Sequence, residues 1–204
     1  MPTPDWFSEP LPPGLSESQI AQLYGHYELL IRWNQRMNLT TVKPGLEMVI
    51  RHYCESLFFA AHLPAASQQI SVLDLGSGAG FPGVPMAILK PHWRVTLVES
   101  SQRKAVFLRE STRHLGNIAV TAERMESLSG QADWVVARAV DPKEVLLNLP
   151  RLASSVGLML GEDDFSVLRS DSRIAWAEPV RLPWGDRKLC VYGSTWNNHV
   201  GRST

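Results

Sequence analysis

The sequence predicts an α/β fold with a mostly parallel seven-stranded sheet and an N-terminal helical extension. Short apolar runs alternate with helix-like stretches from Ile70 onward, which is typical of strand-helix-strand units around a parallel sheet. A glycine-rich segment directly follows the first of these runs. The preceding residues have helical periodicity and no strand pattern, so we divide the chain into an arm with a helical extension, 1–66, and a core, 67–204. With 204 residues and 44% hydrophobic content, the chain is long enough for one well-buried core.

Two helices are predicted in the extension. Ser16 and Gln19 have the spacing of a capping box, and apolar residues then recur at helical spacing as far as Ile31. We expect this first helix to end near residues 37–41. A second helical stretch follows Pro44 and stops before Pro64.

Strands and helices alternate in the predicted core. The apolar runs predict strands at 70–75, 93–98, 117–121, 132–137, 155–160, 173–180 and 187–193. The stretches between them predict helices near 84–90, 101–115, 123–128, 141–152 and 162–169. Ser101 and Asp141 are suitable N-caps for two of these helices. The last two strands are joined by a turn-rich connection without a helix, which favours an antiparallel hairpin.

The composition excludes several classes of protein. The formal net charge is +0, so any contact with nucleic acid must use a local patch of cations. Cys54 and Cys190 belong to no disulfide or metal-binding pattern. The proline-rich N-terminus is unlike a secretion leader, and no run of about 18 apolar residues occurs. We therefore expect a cytoplasmic protein with no metal site and no membrane segment. A monomer is a separate expectation.

A glycine-rich loop is the strongest functional signal. The pattern Gly76-x-Gly78-x-Gly80 follows a strand that contains Asp74 near its end, and glycines there allow a tight turn and the close approach of a ligand. The second strand ends at Glu99, about 20 residues after the loop, where a carboxylate can accept hydrogen bonds from a ribose. The loop alone is weak evidence, because similar connections occur without a ligand. The additional acid favours a nucleoside-containing cofactor.

The glycine spacing favours S-adenosylmethionine over a dinucleotide. A dinucleotide fingerprint would place its third glycine one residue later, at the start of a helix that binds pyrophosphate. S-adenosylmethionine has no phosphate and carries a sulfonium and an ammonium cation, for which an acid such as Asp74 is suitable. Alternatively, Asp74 only orders the loop backbone, and the two roles are compatible. A nicotinamide-dependent oxidoreductase is the less favoured alternative.

Further motifs resemble one family of RNA-modifying enzymes. The glycine loop continues as Phe81-Pro82-Gly83-Val84-Pro85, and the core also contains Glu99-Ser100 and Ala137-Arg138-Ala139. The extension contains Asn38-Leu39-Thr40 and Arg51-His52-x-x-Glu55-Ser56. Over nearly the whole chain, these elements resemble the small-subunit ribosomal RNA methyltransferase G family, also called glucose-inhibited division protein B.

This resemblance implies a Rossmann-like class I S-adenosylmethionine-dependent methyltransferase. Its implied substrate is N-7 of a guanine in 16S ribosomal RNA, as free RNA or within a precursor of the small subunit. Because N-7 has a lone pair and no proton, the reaction needs no general base, and positioning is the main requirement. Arg138 is the implied catalytic residue, at the junction of cofactor and substrate. The expected cofactor-binding residues are Asp74, Gly76, Gly78, Gly80, Phe81, Glu99, Met125, Glu126 and Arg138.

Several cations are candidates for RNA binding. Arg32 and Arg36 are one helical turn apart, and further cations occur later in the chain: Arg51, Arg103 and Lys104. They are predicted to bind phosphates, while Trp33 or Phe81 stacks on a base. The alternative is that these cations only cover solvated helix faces.

The chain departs from the family pattern at the end of the fifth strand, where Leu160 replaces the usual lysine. Three acids follow and would repel RNA if they faced the substrate: Glu162, Asp163 and Asp164. These departures leave open a methyltransferase of another RNA or of a small molecule, or a cofactor-binding protein that has lost catalysis. Three cations are candidates to replace the missing lysine: Lys143, Arg181 and Lys188.

Overall fold

The structure is a computed structural model that describes residues 3–64, 69–184 and 187–195. The predicted boundary between residues 66 and 67 lies outside the described residues. Within the described part of the chain, no helix is long and apolar enough to cross a membrane. No group of three or more His, Cys, Asp or Glu residues in that part is placed to hold a metal ion.

The helical extension agrees with the predicted pattern and adds one irregular segment. Its helices are α1 (Asp5–Ser8), α2 (Glu17–Met37), α3 (Leu46–Met48) and α4 (Glu55–His62). The capping box at the start of α2 is confirmed, because Ser16 Oγ accepts from the Gln19 amide while the Gln19 side chain accepts from the Ser16 amide. A π-helical segment, Val49–Cys54, joins α3 to α4. Apolar periodicity does not reveal this widened turn, which is common at functional sites.

The core elements follow the predicted alternation closely. The strands are β1 (Ser71–Leu75), β2 (Arg94–Val98), β3 (Ile118–Thr121), β4 (Ala132–Arg138), β5 (Ala153–Gly161), β6 (Ile174–Trp176), β7 (Val180–Arg181) and β8 (Lys188–Thr195). The helices are α5 (Gly83–Leu89), α6 (Gln102–Thr112), α7 (Pro142–Leu152) and α8 (Glu162–Leu168). The side chains of Ser101 and Asp141 accept hydrogen bonds at the starts of α6 and α7, which confirms both predicted N-caps.

The strands form one mostly parallel sheet. Its order is β3-β2-β1-β4-β5-β8-β6, with β7 also paired to β8. The strands β1 to β5 are parallel, whereas β8 is antiparallel to β5, β6 and β7. The predicted hairpin is therefore formed by β7 and β8. The carboxyl ends of the parallel strands, where such sheets bind ligands, lie at one edge.

Two predicted elements differ from the structure. The expected strand 173–180 is divided into β6 and β7, so the described residues contain eight strands rather than seven. Pro179 lies at the break and has no amide hydrogen for the strand ladder. The expected helix 123–128 is only a single 3-10 turn, Met125–Ser127. Most side chains of this segment are exposed, so no apolar face stabilises a longer helix.

Helices cover both faces of the sheet. On one face, extension residues such as Phe7 and Leu23 share a buried cluster with Phe107 of α6 and Leu97 of β2. On the other face, α7 and α8 bury Leu149 and other residues against β4 and β5. The extension is thus part of the main core.

Candidate active site

The glycine loop connects β1 to α5 with three residues in left-handed conformations. The φ angles of Gly76, Gly78 and Gly80 are 68°, 57° and 94°. A Cβ at Gly76 would lie 2.6 Å from the Val140 side chain, so the loop packs closely against the segment that follows β4. A Cβ at Gly78 would approach nothing closer than the Gly76 carbonyl, at 3.8 Å. Open space therefore adjoins the loop at Gly78, where a ligand can approach the backbone.

Glu99 joins the end of β2 to this loop, as the sequence predicts. Its Oε2 accepts a hydrogen bond from the Gly78 amide at 3.0 Å, and its Oε1 accepts one from the Ser101 amide at 2.8 Å. The residue is 6% exposed. Because each carboxylate oxygen has two lone pairs, both oxygens retain an acceptor site for a ribose hydroxyl.

Asp74 lies beneath the loop and is completely buried. Its Oδ2 accepts a hydrogen bond from the Gly83 amide at 3.0 Å, which fixes the start of α5. Burial raises the pKa of this carboxyl to about 7. The nearby Glu99 also raises this pKa, whereas hydrogen bonds with Ser77 and Gly83 lower it. This geometry favours the loop-ordering role, and direct contact with the cofactor stays a prediction.

Phe81 packs between the loop and the extension. Its ring stacks on the His52 ring at a centroid distance of 4.6 Å and meets Tyr53 edge-on at 5.1 Å. Because Phe81 is only 7% exposed, its ring is not positioned to stack on an RNA base. His52 is also held internally, since its Nε2 contacts Thr40 Oγ1 at 2.8 Å. Burial and the charge of Arg138 lower the pKa of His52 to about 3, so its ring is neutral.

Met125 and Glu126 lie in the 3-10 turn that follows β3. The amide of Glu99 donates to Thr121 at the end of β3, so this turn follows the strand that borders Glu99. Met125 packs against the second core cluster, while Glu126 is exposed. The resemblance places both beside the adenine of the cofactor, and that contact stays a prediction.

Arg138 ends β4 and is anchored to the extension. Its Nη1 donates to the Arg51 carbonyl at 2.7 Å, and its Nη2 lies 3.2 Å from Glu55 Oε2. Glu55 is 1% exposed and also accepts from Lys188 Nζ, at 3.2 Å for Oε1 and 3.4 Å for Oε2. One buried carboxylate therefore holds two cations together.

These groups line a cleft of about 430 Å³ at the carboxyl ends of β4 and β5. Arg138 pairs with Met159 in the sheet register, and Gly161 pairs with Lys188 at the start of β8. The cleft adjoins the glycine loop, because Leu75 pairs with Ala137, directly before Arg138. Its walls are lined partly by apolar residues: Ala139, Met159, Leu160 and Leu182.

Two of the three acids after β5, Glu162 and Asp163, line this cleft, and arginines pair with both. Glu162 forms ion pairs with Arg181 and with Arg187, the latter at 3.3 Å. Asp163 lies 2.6 Å from Arg187. The expected repulsion of RNA is therefore offset, because the paired charges largely cancel beyond a few ångströms.

The candidate RNA-binding cations lie on two packed helices and beside the cleft. Arg32 and Arg36 are exposed on α2, and Arg103 is exposed on α6 next to the half-buried Lys104. The two helices meet where Trp33 contacts Phe107, with ring centroids 5.7 Å apart. Arg51 is exposed and pairs with Glu47, four residues before it.

Two residues of the cleft were missed by the sequence argument. Glu55 was identified only as part of a motif, and Lys188 only as one of three cations that could replace the lysine missing at Leu160. A charged residue on an otherwise apolar helix is a usable signal for Glu55. For Lys188 the chain carries no local signal, because its partner is distant in sequence.

The loop and sheet fit S-adenosylmethionine, because Gly78 leaves room for it and both oxygens of Glu99 retain acceptor sites. Fold and site together define a Rossmann-like S-adenosylmethionine-dependent methyltransferase. The same fold occurs in magnesium protoporphyrin IX methyltransferase from Synechocystis PCC 6803, solved with bound S-adenosylmethionine. That structure has a TM-score of 0.62 and 14% identity, with 90% of this chain and 99% of that chain covered.

The chain belongs to the rRNA small subunit methyltransferase G family, whose model matches residues 19–161. A relative with that name from Xylella fastidiosa is 41% identical over 190 residues, which cover 87% of this chain and 88% of the relative. Another from Nitrosomonas europaea is 40% identical over 135 residues, which cover 64% of this chain and 61% of the relative. Each is a ribosomal RNA small subunit methyltransferase G by name.

Proposed function

We propose that this protein methylates N-7 of a guanine in 16S ribosomal RNA, acting as a monomer in the cytoplasm. The single observation that carries the proposal is the cleft beside the glycine loop, which is lined by the cations Arg138 and Lys188 and by apolar residues. A planar base fits such a cleft, and its acceptor atoms match these cations. The names of the relatives, which specify the RNA of the small subunit, support the same substrate.

The side chains around the site suit a reaction without a general base. N-7 of guanine has a free lone pair, so no proton has to be removed before attack. The carboxylates of Glu55, Glu162 and Asp163 are engaged with cations. When bound, S-adenosylmethionine supplies the electrophilic methyl group. The chain itself contributes orientation, which can account for roughly 7–11 kcal/mol of a barrier.

We assign the cofactor to the glycine loop and the carboxyl ends of β2 to β4. In this assignment Gly76, Gly78 and Gly80 allow close approach, and Glu99 accepts hydrogen bonds from the ribose hydroxyls. Met125 and Glu126 border the adenine. Arg138 lies between the cofactor and the base, held in place by Glu55 and the Arg51 carbonyl.

The exposed cations on α2 and α6 are proposed to bind RNA phosphates. Arg32, Arg36 and Arg103 are exposed, and Arg51 lies next to the cleft. Local patches of this kind can bind RNA although the formal net charge is +0. Substitution of these cations is expected to lower the affinity for RNA and also to reduce the dependence of that affinity on salt concentration.

The decisive experiment compares 16S RNA from cells with and without the gene. Borohydride followed by aniline cleaves RNA at 7-methylguanosine, and we expect one cleavage product to disappear when the gene is deleted. Expression of the wild-type chain should restore the product. An unchanged product in the deletion strain contradicts the proposed substrate.

A second experiment tests the cofactor independently of the RNA. Calorimetric titration of the purified protein should give a binding isotherm with S-adenosylmethionine and none with NAD. Binding of NAD alone would contradict the assignment of the glycine loop.

A further inference from the structure

We propose that Lys188 selects guanine by donating a hydrogen bond from Nζ to O6 of the target base. This inference depends on the proposed function and adds the residue that distinguishes guanine from adenine. In this proposal Lys188 contacts the substrate, whereas Arg138 positions the wall of the cleft.

Lys188 is placed at the edge of the cleft by the antiparallel strand β8. It is the first residue of β8 and pairs with Gly161 at the end of β5. The residue before Gly161, Leu160, also lines the cleft and is apolar. Since β8 runs opposite to β5, its amino end reaches the edge at which the parallel strands end. Lys188 therefore lies at the same edge of the sheet as the glycine loop that follows β1.

Lys188 retains donor capacity that its internal contacts do not use. An ammonium has three N–H donors. Among the described residues, its contacts are to the two oxygens of Glu55, at 3.2 and 3.4 Å, which are long for charge-assisted hydrogen bonds. These contacts engage at most two donors. The side chain is 40% exposed, so a donor can face a ligand in the cleft.

Arg138 is held more tightly than Lys188 by contacts within the protein. Its side chain is 18% exposed, and it donates both to Glu55 and to the Arg51 carbonyl, the latter at 2.7 Å. A guanidinium held by the extension on two sides cannot turn toward a base without breaking a short hydrogen bond. Lys188 is therefore the better candidate for direct contact.

The chemistry of the two purines explains the selection. On this edge guanine presents two acceptors, O6 and N7, whereas adenine presents N7 and an amino group. A donor at Lys188 matches O6 and opposes the adenine amino group. Contact at O6 leaves the N-7 lone pair free for attack. Glu55 carries one negative charge between Arg138 and Lys188, so it offsets only part of the positive charge beside the nitrogen that becomes cationic.

The test combines a protein variant with an altered base. Three 16S RNA substrates are prepared by splint ligation, with guanine, 2-aminopurine or inosine at the nucleotide that the wild-type chain methylates. Of these, only 2-aminopurine lacks O6, and inosine lacks only the exocyclic amino group. The kcat/KM of methyl transfer is measured for the wild-type chain, Lys188→Met and Lys188→Arg. Lys90→Met is the matched control, because this lysine is the C-cap of α5, is not among the residues that line the cleft, and lies over the Trp93 ring.

For Lys188→Met we expect an about 10- to 100-fold loss of kcat/KM on the guanine and inosine substrates, the range for one charged hydrogen bond. On 2-aminopurine the loss should be less than about threefold, because the acceptor is already absent. Lys188→Arg should retain the preference for guanine, and Lys90→Met should match the wild-type chain. The dissociation constant of S-adenosylmethionine should stay within about twofold, which shows that the cofactor site is intact.

Two results overturn the inference alone. One is a loss on 2-aminopurine as large as the loss on guanine, which would show a structural role for Lys188. The other is full activity of Lys188→Met on guanine. If the wild-type chain methylates no guanine substrate although it binds S-adenosylmethionine, the proposed function is wrong and this inference is wrong with it.

Discussion

Glu55 Oε2 lies 3.2 Å from Arg138 Nη2 and joins helix α4 of the extension to the end of strand β4. The carboxylate is almost fully buried, and burial lowers the pKa of Arg138 despite the attraction of Glu55. This ion pair joins the helical extension to the edge of the sheet where the cleft lies. The extension therefore contributes to the geometry of the site as well as to the core.

Replacement of Glu55 by Ala should destabilise the protein strongly. Arg138 would then stay buried without its partner, and removal of one member of a buried pair typically costs about 3–5 kcal/mol. We expect the free energy of unfolding in urea to fall by that order, with methyl transfer lost as well.

The control for this prediction is Glu47→Ala. Glu47 pairs with Arg51 on the surface, where both side chains are more than half exposed. Exposed pairs contribute about 0–1 kcal/mol, so this variant should unfold almost like the wild-type chain. Similar losses for the two variants would show that Glu55 has no special role.

Replacement of Gly78 by Ala should weaken S-adenosylmethionine binding by at least about tenfold. The φ angle of 57° makes a side chain unfavourable by roughly 1–2 kcal/mol, and the new Cβ would occupy the open space at the loop. Isothermal titration calorimetry measures the affinity.

Gly130→Ala is the matched control for the glycine loop. Gly130 also has a positive φ, 95°, and a Cβ there would meet nothing within 4 Å. This variant should show similar backbone strain but unchanged affinity for the cofactor. Equal affinities of the two variants would count against the loop as the binding site.

Replacement of Glu99 by Gln should lower the affinity for S-adenosylmethionine by about 10- to 100-fold. An amide has one oxygen, so it cannot accept from both the Gly78 and Ser101 amides and also from both ribose hydroxyls. Equilibrium dialysis with the labelled cofactor measures this loss. Glu110→Gln, which changes a surface pair with Arg113, should bind normally. Unchanged binding by Glu99→Gln would remove this residue from the site.

His26 should make the protein less stable in mild acid. Burial lowers the pKa of His26 from 6.5 to about 4, although a backbone hydrogen bond partly opposes this effect. The neutral His26 ring therefore contributes fully to the free energy of unfolding above pH 6.5. This contribution is lost as the pH falls toward 4, because the unfolded chain binds the proton more readily than the folded protein. Between pH 7 and pH 5 this group alone should cost about 2 kcal/mol of unfolding free energy.

The His26→Asn variant isolates that contribution. Asparagine can retain a hydrogen bond to the Tyr53 hydroxyl, which lies 2.8 Å from His26 Nδ1, but it does not titrate. The variant should lose about 2 kcal/mol less than the wild-type chain between pH 7 and pH 5, as measured by urea unfolding. His62→Asn, at an exposed residue, should retain the wild-type pH dependence. Identical pH profiles for His26→Asn and the wild-type chain would exclude His26 as the cause.

Local patterns predicted the elements that depend on neighbouring residues. The capping box at Ser16 and the N-caps at Ser101 and Asp141 involve partners two or three residues away, so the sequence shows them directly. The π-helical segment Val49–Cys54 and the break at Pro179 were not predicted. Apolar periodicity is insensitive to one widened turn, and the apolar residues around Pro179 concealed the break.

The sequence by itself determined the parallel sheet, the glycine loop and the carboxylate of Glu99 beside it. These features follow from apolar periodicity and from the regular geometry of a strand-loop-helix unit, which a short segment encodes. Only the tertiary structure decided that Phe81 is turned inward and that Lys188 joins Arg138 at Glu55. Glu55 and Lys188 are 133 residues apart, and they meet only because β8 inserts antiparallel beside β5. Strand order and register depend on the packing of the whole core, so no local pattern specifies that contact.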